Sequence, residues 1–302
     1  MDSLGDLFAE AFVNNSSVSV FTGSDSARII DRCATTDVAD SPVMTRVETL
    51  FCKPNGRIED SASLCFVDGG ILMIGMSGLG DQTRRKIHHG VAWDEVASIR
   101  SGENAVNHIV LFGSGVNESI IGLGMDLEEF SSTNWFEFGN IIISRNHICS
   151  ETIYDVIVPI SETHVFLRML EDNGCREVQR NRWDYFRIVN SITSKSDIIG
   201  RLPHEVGLED FIDTSKGCYP GQEIHARLES RGKAKRKLVK LICDTEIPTG
   251  RVSSELGKIE VTSTAMSKNE HVALAVVPME FSESGEEELE FGRVKISSIN
   301  HL

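Results

Sequence analysis

The chain has 302 residues, 40% hydrophobic and 25% charged, with 45 acids against 30 bases and a net charge of −15. This is an ordinary globular composition, long enough for about two domains and a sizeable core. It excludes disulfide mini-proteins, collagen-like chains and disordered tails, and it argues against bulk attraction to nucleic acid or anionic membrane.

Along the chain, alternation predicts a strand over 17–21 and a helix over 25–33, with Ser24 as its N-cap. Strands over 45–52 and 58–67 follow, joined by the turn Lys53-Pro54-Asn55-Gly56. Further strands are expected over 71–76, 96–100, 108–112 and 154–160, with a hairpin over 135–144 turned at Gly139-Asn140. Helices are expected over 81–89, 117–123, 161–172 and 181–190. Strands and helices mix without strict βαβ alternation, which points to an α+β body. In the last seventy residues, strands over 237–243, 259–264, 272–277 and 289–299 suggest a small β-barrel. The expected division is 1–231 and 232–302, with two interleaved subdomains in the first part. The five glutamates of 282–290 read as a solvated loop and strand edge.

No apolar run approaches the ~20 residues of a spanning helix. The opening MDSLGDLFAEAF carries Asp2, Asp6 and Glu10 and no base before Arg28, unlike a secretory or transit segment, so the expected compartment is the cytoplasm. Seven cysteines at irregular spacing predict neither a closed zinc site nor a disulfide framework. Cys65 and Cys243 sit in apolar runs and read as core. Dinucleotide, P-loop, zinc-protease and nucleophile-elbow motifs are missing. His88-His89, adjacent in a helix, read as a solvated helix end.

Lys216-Gly217-Cys218-Tyr219-Pro220-Gly221-Gln222-Glu223 stands apart. Gly217 and Gly221 permit tight, exposed backbone around Cys218, Pro220 stiffens it, and Lys216 brings a positive charge near in sequence. The segment reads either as a reactive-thiol loop or as a turn with an incidental free cysteine. Downstream, residues 227–240 hold seven bases (Arg227, Arg231, Lys233, Lys235, Arg236, Lys237, Lys240) and one acid, Glu229. This run is either a solvated strand face or a seat for an anion: a carboxylate tail, a phosphate or RNA. A third site is the segment Gly56 to Asp60. Alternation turns Ile58 and Asp60 to one face and Arg57 and Glu59 to the other. Asp60 is then an inward carboxylate, either structural or able to hold an amine or act as a base.

The octapeptide resembles the K-G-C-Y-x-G-Q-E signature of the YgfZ family, folate-binding relatives of the glycine-cleavage T-protein (aminomethyltransferase). Leu202-Pro203-His204-Glu205-Val206-Gly207-Leu208 resembles that family's P-x-E-x-x-L segment, and Arg227 with Gly232 to Leu238 its A-R-…-G-x-x-x-R-x-L continuation. Looser similarities lie at Gly23-Ser24-Asp25, at Arg32 to Val38, at Pro54 to Asp60 and at Gly257 to Ser263. The resemblance implies a T-protein-like body of ferredoxin-like halves plus a C-terminal β-barrel. It also implies bound tetrahydrofolate or a one-carbon derivative. Cys218 and Asp60 would carry the chemistry, with Lys216, Gly217, Tyr219, Gly221, Gln222 and Glu223 supporting the loop. The implied folate contacts are Asp60, Arg187, Glu205 and Arg227. One departure stands at Val189, where the T-protein has a glutamate that grips the pterin.

Three functions follow from this resemblance. The first is an accessory factor for assembly or repair of iron–sulfur proteins, working with an A-type scaffold, another cluster carrier or client proteins. Cys218 would be a transient cluster ligand and there would be no stable metal site. The second is a folate-dependent aminomethyltransferase. The third is a tRNA-modification factor, which the basic run alone supports. A monomer is expected.

Overall fold

The computed structural model describes residues 8–128, 134–147, 149–232, 234–267 and 270–299. Two compact units divide the chain, each built from separated stretches. The first comprises Met1–Ile30, Val38–Glu48 and Ala62–Arg180, and the second Asp31–Asp37, Thr49–Ser61 and Asn181–Leu302.

In chain order the first half runs β1 (Ala9–Asn14), β2 (Ser17–Thr22), α1 (Ser26–Asp31), β3 (Arg46–Cys52), β4 (Ile58–Val67), β5 (Gly70–Gly75), α2 (Gly80–His89) and β6 (Ser98–Ser101). Next come β7 (Val106–Phe112), α3 (Val116–Gly122), β8 (Trp135–Phe138), β9 (Ile141–Asn146), β10 (Ile153–Pro159), α4 (Thr163–Asp172) and β11 (Cys175–Glu177). One sheet has the order β11-β1-β7-β10-β9-β8, and another β3-β4-β5-β2-β6. In the first sheet β11 runs parallel to β1, while the pairs from β1 through to β8 are antiparallel. Such a sheet fits the α+β expectation, because antiparallel neighbours need no crossover helix. Phe166 and Leu170, one turn apart on α4, are buried with Ile120 of α3 against Leu111, Ile143 and Val156 of the sheet.

A polar knot ties the first unit internally. Arg46 donates from Nε to Glu48 at 2.7 Å and from Nη2 to Asp155 at 2.6 Å. Asp155 also accepts from His108 Nε2 at 2.9 Å and from Asn146 Nδ2 at 2.8 Å. The Arg46 and Asp155 side chains are 5% and 8% exposed, and the guanidinium lies 5.0 Å from the Trp135 ring centroid.

The second half holds α5 (Arg180–Val189), α6 (Lys195–Ile198), α7 (Gln222–Arg231), β12 (Arg236–Cys243), β13 (Gly250–Ser254), β14 (Gly257–Ser267), β15 (Glu270–Pro278), α8 (Met279–Glu283), β16 (Glu286–Leu289) and β17 (Gly292–Ser298). The last six strands form one antiparallel sheet, β13-β14-β15-β12-β17-β16. Its two edge strands, β13 and β16, lie against each other, so the sheet curls into a barrel. Val239, Leu241, Ile259, Ala273, Ala275 and Val294 fill the interior with Phe281 of α8. The acidic β16 stands at the sheet's edge, where charge discourages further strand pairing.

Several sequence expectations change. The strand expected over 289–299 is β17, which begins at Gly292 with φ +132°, and the short β16 precedes it as its hairpin partner. β1, β11, β13 and α7 escaped the reading. AEAFVN of β1 is buried at four successive positions and so shows no alternation. By compactness, residues 232–302 lie in one unit with 31–37, 49–61 and 181–231. The physical reason is a buried polar clasp on the barrel wall. Asp197 accepts from Thr262 and Ser263 of β14 at 2.6 Å each, and Arg187 donates to Ser263 at 3.0 Å.

Candidate functional site

The KGCYPGQE segment is a fixed loop within the second unit. It begins with an Asx turn: Asp213 Oδ1 accepts from the Ser215 N–H at 2.8 Å, the Ser215 hydroxyl at 2.6 Å and the Lys216 N–H at 3.2 Å. These donors, Ser215 first, lower the Asp213 pKa. The Lys216 side chain is 1% exposed. Its ammonium donates to Asp31 Oδ1 and the Asp31 carbonyl at 2.7 Å each, to the Thr36 carbonyl at 2.9 Å and to the Ala34 carbonyl at 3.1 Å. It therefore satisfies carbonyls at and just beyond the end of α1 and pins the loop there; its charge is held by Asp31.

Gln222, the first residue of α7, donates from Nε2 to the carbonyls of Lys216 at 3.0 Å and Thr214 at 3.2 Å, closing the loop on itself. Gly221 caps α7 with φ +91°. A Cβ there would stand 2.7 Å from both Gly56 Cα and the Lys53 carbonyl oxygen. The Lys53–Gly56 turn is the expected one: Gly56 has φ +76° and donates to the Lys53 carbonyl at 2.8 Å. Turn and loop thus meet backbone to backbone, and only glycine allows that approach.

Beneath the loop lies a buried aromatic group. His225 has no exposed surface, and its Nε2 is 2.9 Å from the Gly56 carbonyl oxygen. A carbonyl can only accept, so Nε2 carries the proton. Burial depresses the His225 pKa, the ring is neutral, and Nδ1 accepts from the Tyr219 hydroxyl at 3.5 Å. Burial raises the Tyr219 pKa, with neighbouring Cys52 adding to it. His204 lies 6.2 Å from His225 by ring centroids, and both its ring nitrogens are buried without a hydrogen-bond partner.

Cys218 is exposed at the loop's outer edge, while Cys52, Cys65, Cys149, Cys175 and Cys243 are buried. A Cβ at Gly217 would meet open space. Glu223 and Arg227 pair at 2.8 Å on the outer face of α7, both mostly exposed.

Asp60 is fully buried on β4 beside fully buried Ile58, and Arg57 is exposed, so the alternation holds. One Asp60 oxygen accepts from the Ser61 N–H at 2.9 Å. Arg187 is 5% exposed; its guanidinium donates to Asp184 at 2.6 Å, Asp197 at 3.2 Å and Ser263. Glu205 Oε2 accepts from the Leu202 N–H at 2.9 Å and caps the 3-10 turn Pro203–Glu205. Val189 ends α5, and its carbonyl accepts from Lys240 at 2.6 Å.

The basic run does not form a single strand face. Arg227 belongs to α7, whereas Arg236, Lys237 and Lys240 belong to β12. Lys233 and the Arg231 side chain lie outside the described residues. Arg236 instead joins Arg57 and Glu205 around a pocket of about 270 Å³ that sequence reasoning did not assemble. His225 also escaped, because it stands just beyond the octapeptide on an unrecognised helix.

No family model matches the chain. It is 26% identical over 179 residues to aminomethyltransferases of two strains of Desulfitobacterium hafniense, DSM 10664 / DCB-2 and Y51. The match takes in 54% of this chain and 48% of each relative, so the chain spans about half the length of those proteins. Among solved structures, glycine cleavage system aminomethyltransferase T from Bartonella henselae superposes with a TM-score of 0.82 at 17% identity, over 97% of this chain and 86% of that one. The chain has the fold of that protein. Among the described residues no helix is long and apolar enough to cross a membrane.

Proposed function

We propose that this chain binds a tetrahydrofolate and serves as an accessory factor in the assembly or repair of iron–sulfur proteins, with the Cys218 thiol as its reactive group. The observation that supports this most is the presentation of that thiol. Cys218 is exposed, while Lys216, Gln222 and Gly221 on either side are committed to holding its loop in place. One thiol supplies one of the four ligands a cluster normally takes. A cluster would therefore be cargo, shared with a carrier such as an A-type scaffold or with a client protein. The aminomethyltransferase fold supports a folate-handling body. Of the four candidate folate contacts, Asp60, buried on β4, is the residue that would hold the folate amine. Tetrahydrofolate supplies, when bound, the nitrogens that carry a one-carbon unit.

The test is complementation of a YgfZ-deficient cell, reading the activity of a [4Fe–4S] enzyme. Wild type is expected to rescue and Cys218→Ala to fail at equal protein level. Rescue by Cys218→Ala would end the thiol role, and failure of well-expressed wild type would end the iron–sulfur reading.

A second reading, a folate-dependent aminomethyltransferase, is favoured by the name of the Desulfitobacterium relatives and by inward Asp60. Val189, where the resemblance expects a pterin-gripping glutamate, counts against it. Formation of methylene-tetrahydrofolate from an aminomethyl-lipoyl carrier, abolished by Asp60→Asn, would move the assignment to this reading.

A further inference from the structure

The second unit contains a pocket unlike the rest of this acidic chain. It measures about 270 Å³ and is lined by Arg57, Arg201, Arg236, Arg251 and Lys258, opposed by Glu205 and Glu260. Five bases against two acids leave a local charge of +3, in a protein of net −15. The acids do not cancel the bases evenly. Glu260 pairs with Arg201 at 2.7 Å, whereas Glu205 reaches Arg57 only at 3.9 Å and caps the backbone of Leu202 with the same oxygen.

The bases differ in how they are held. Arg236 is fixed by donation from Nη2 to the carbonyls of Val276 at 2.6 Å and Lys258 at 3.2 Å. Arg57 is fixed by donation to the Gly200 carbonyl at 2.7 Å. Arg201 and Arg236 each bury an Nε that has no hydrogen-bond partner. Buried donors left unpaired on charged groups are costly, and clustering them raises that cost by like-charge repulsion. Arg251 and Lys258, on the paired strands β13 and β14, are exposed at the pocket; Arg251 stands opposite Glu260 in the strand register, and Arg201 first and then Arg251 lower the Glu260 pKa. A surface strip of bases on a strand would splay into solvent. Here three strands, β12, β13 and β14, the chain just before the 3-10 turn and the chain after the Lys53–Gly56 turn converge their cations on one concavity.

We propose that this pocket binds an oxyanion group of two or more negative charges, of the phosphate or clustered-carboxylate kind. Planar guanidinium forks match such oxygens in pairs, and a bound dianion offsets the repulsion among the five bases. The volume sits just below the roughly 300–1,000 Å³ of complete small-molecule sites, so the occupant is a small anion or the anionic end of a larger molecule. The inference does not rest on the iron–sulfur reading, since Cys218 does not line the pocket; of the implied folate contacts Glu205 lines it and Asp60 does not.

The test is isothermal titration of the full chain, at fixed ionic strength in a phosphate-free buffer, with inorganic phosphate, pyrophosphate and tricarballylate as separate probes. Saturable one-to-one binding of at least one probe is expected, weakened about tenfold or more by the double variant Arg251→Glu/Lys258→Glu. Both side chains are exposed, so the variant is expected to keep the fold, which circular dichroism checks. The ratio between phosphate-type and carboxylate probes tells which source the pocket prefers. Cys218→Ala and Asp60→Asn are expected to bind as wild type does. Absence of saturable binding by wild type, or binding that the double variant leaves unchanged, overturns the proposal.

Discussion

Replacing Lys216 with Met tests whether the lysine of the octapeptide anchors the loop. Met keeps most of the apolar stem and removes the ammonium. The side chain is 1% exposed and its charge meets one carboxylate and three carbonyls, so no solvent screening discounts the interaction. Removing one partner of a buried ion pair costs about 3–5 kcal/mol. Asp31 is 17% exposed and regains some hydration once alone, which places the loss near the lower end, at about 3 kcal/mol. For a unit of about 140 residues, each kcal/mol moves the melting temperature by about 2–4 °C, so a fall of roughly 6–12 °C is expected by calorimetry. Protease cutting within the Cys218 loop should quicken in parallel, because its first tether is gone. A loss below about 1 kcal/mol with unchanged proteolysis would refute the anchoring role.

Gly221→Ala is expected to destabilise by about 2–4 kcal/mol, because it combines a disfavoured positive φ with a Cβ placed against the turn backbone; urea denaturation reads it. In the first unit, Arg46 and His108 hold the Asp155 carboxyl well below the usual carboxylate range, against the opposing effect of burial. A depressed folded pKa stabilises above the unfolded value of about 3.9, so this contribution persists at pH 5 and drains away as pH falls below about 4. In Asp155→Ala that acid-dependent loss should be absent and stability at pH 7 lower by about 3–5 kcal/mol. Native alkylation with iodoacetamide, followed by mass spectrometry, should label Cys218 first. Cys65 and Cys175 should resist until unfolding, since burial pushes both thiols up to about 12.

The parts of the fold legible in the sequence were those with a local cause. The Lys53–Gly56 turn, β4 with inward Asp60, and the amphipathic α4 each announce themselves within a dozen residues. What stayed hidden depends on distant partners. β1 is buried on both faces, so alternation is silent there, and β11 is three residues long. α7 follows directly on a glycine-rich loop and carries few apolar residues, so its period is faint. At the site, the exposure of Cys218 could be read from Gly217 and Gly221. The tethering of Lys216 to Asp31 could not, because 185 residues separate them. The cationic pocket was half visible: Arg236 lay in the noted basic run, but Arg57, Arg201, Arg251 and Lys258 come from three other places in the chain.

The interleaving of the two units has a consequence for how the chain is born. Residues 31–37 and 49–61 leave the ribosome early, yet the unit they complete is otherwise made of residues 181–302. At about 5–20 residues per second, the 185 residues between Asp31 and Lys216 take roughly 10–40 s to synthesise. Throughout that interval the Asp31 carboxylate and the Asp31, Ala34 and Thr36 carbonyls lack the ammonium that they bind in the finished protein. A chain that stops before Lys216 therefore has its second unit unbuilt.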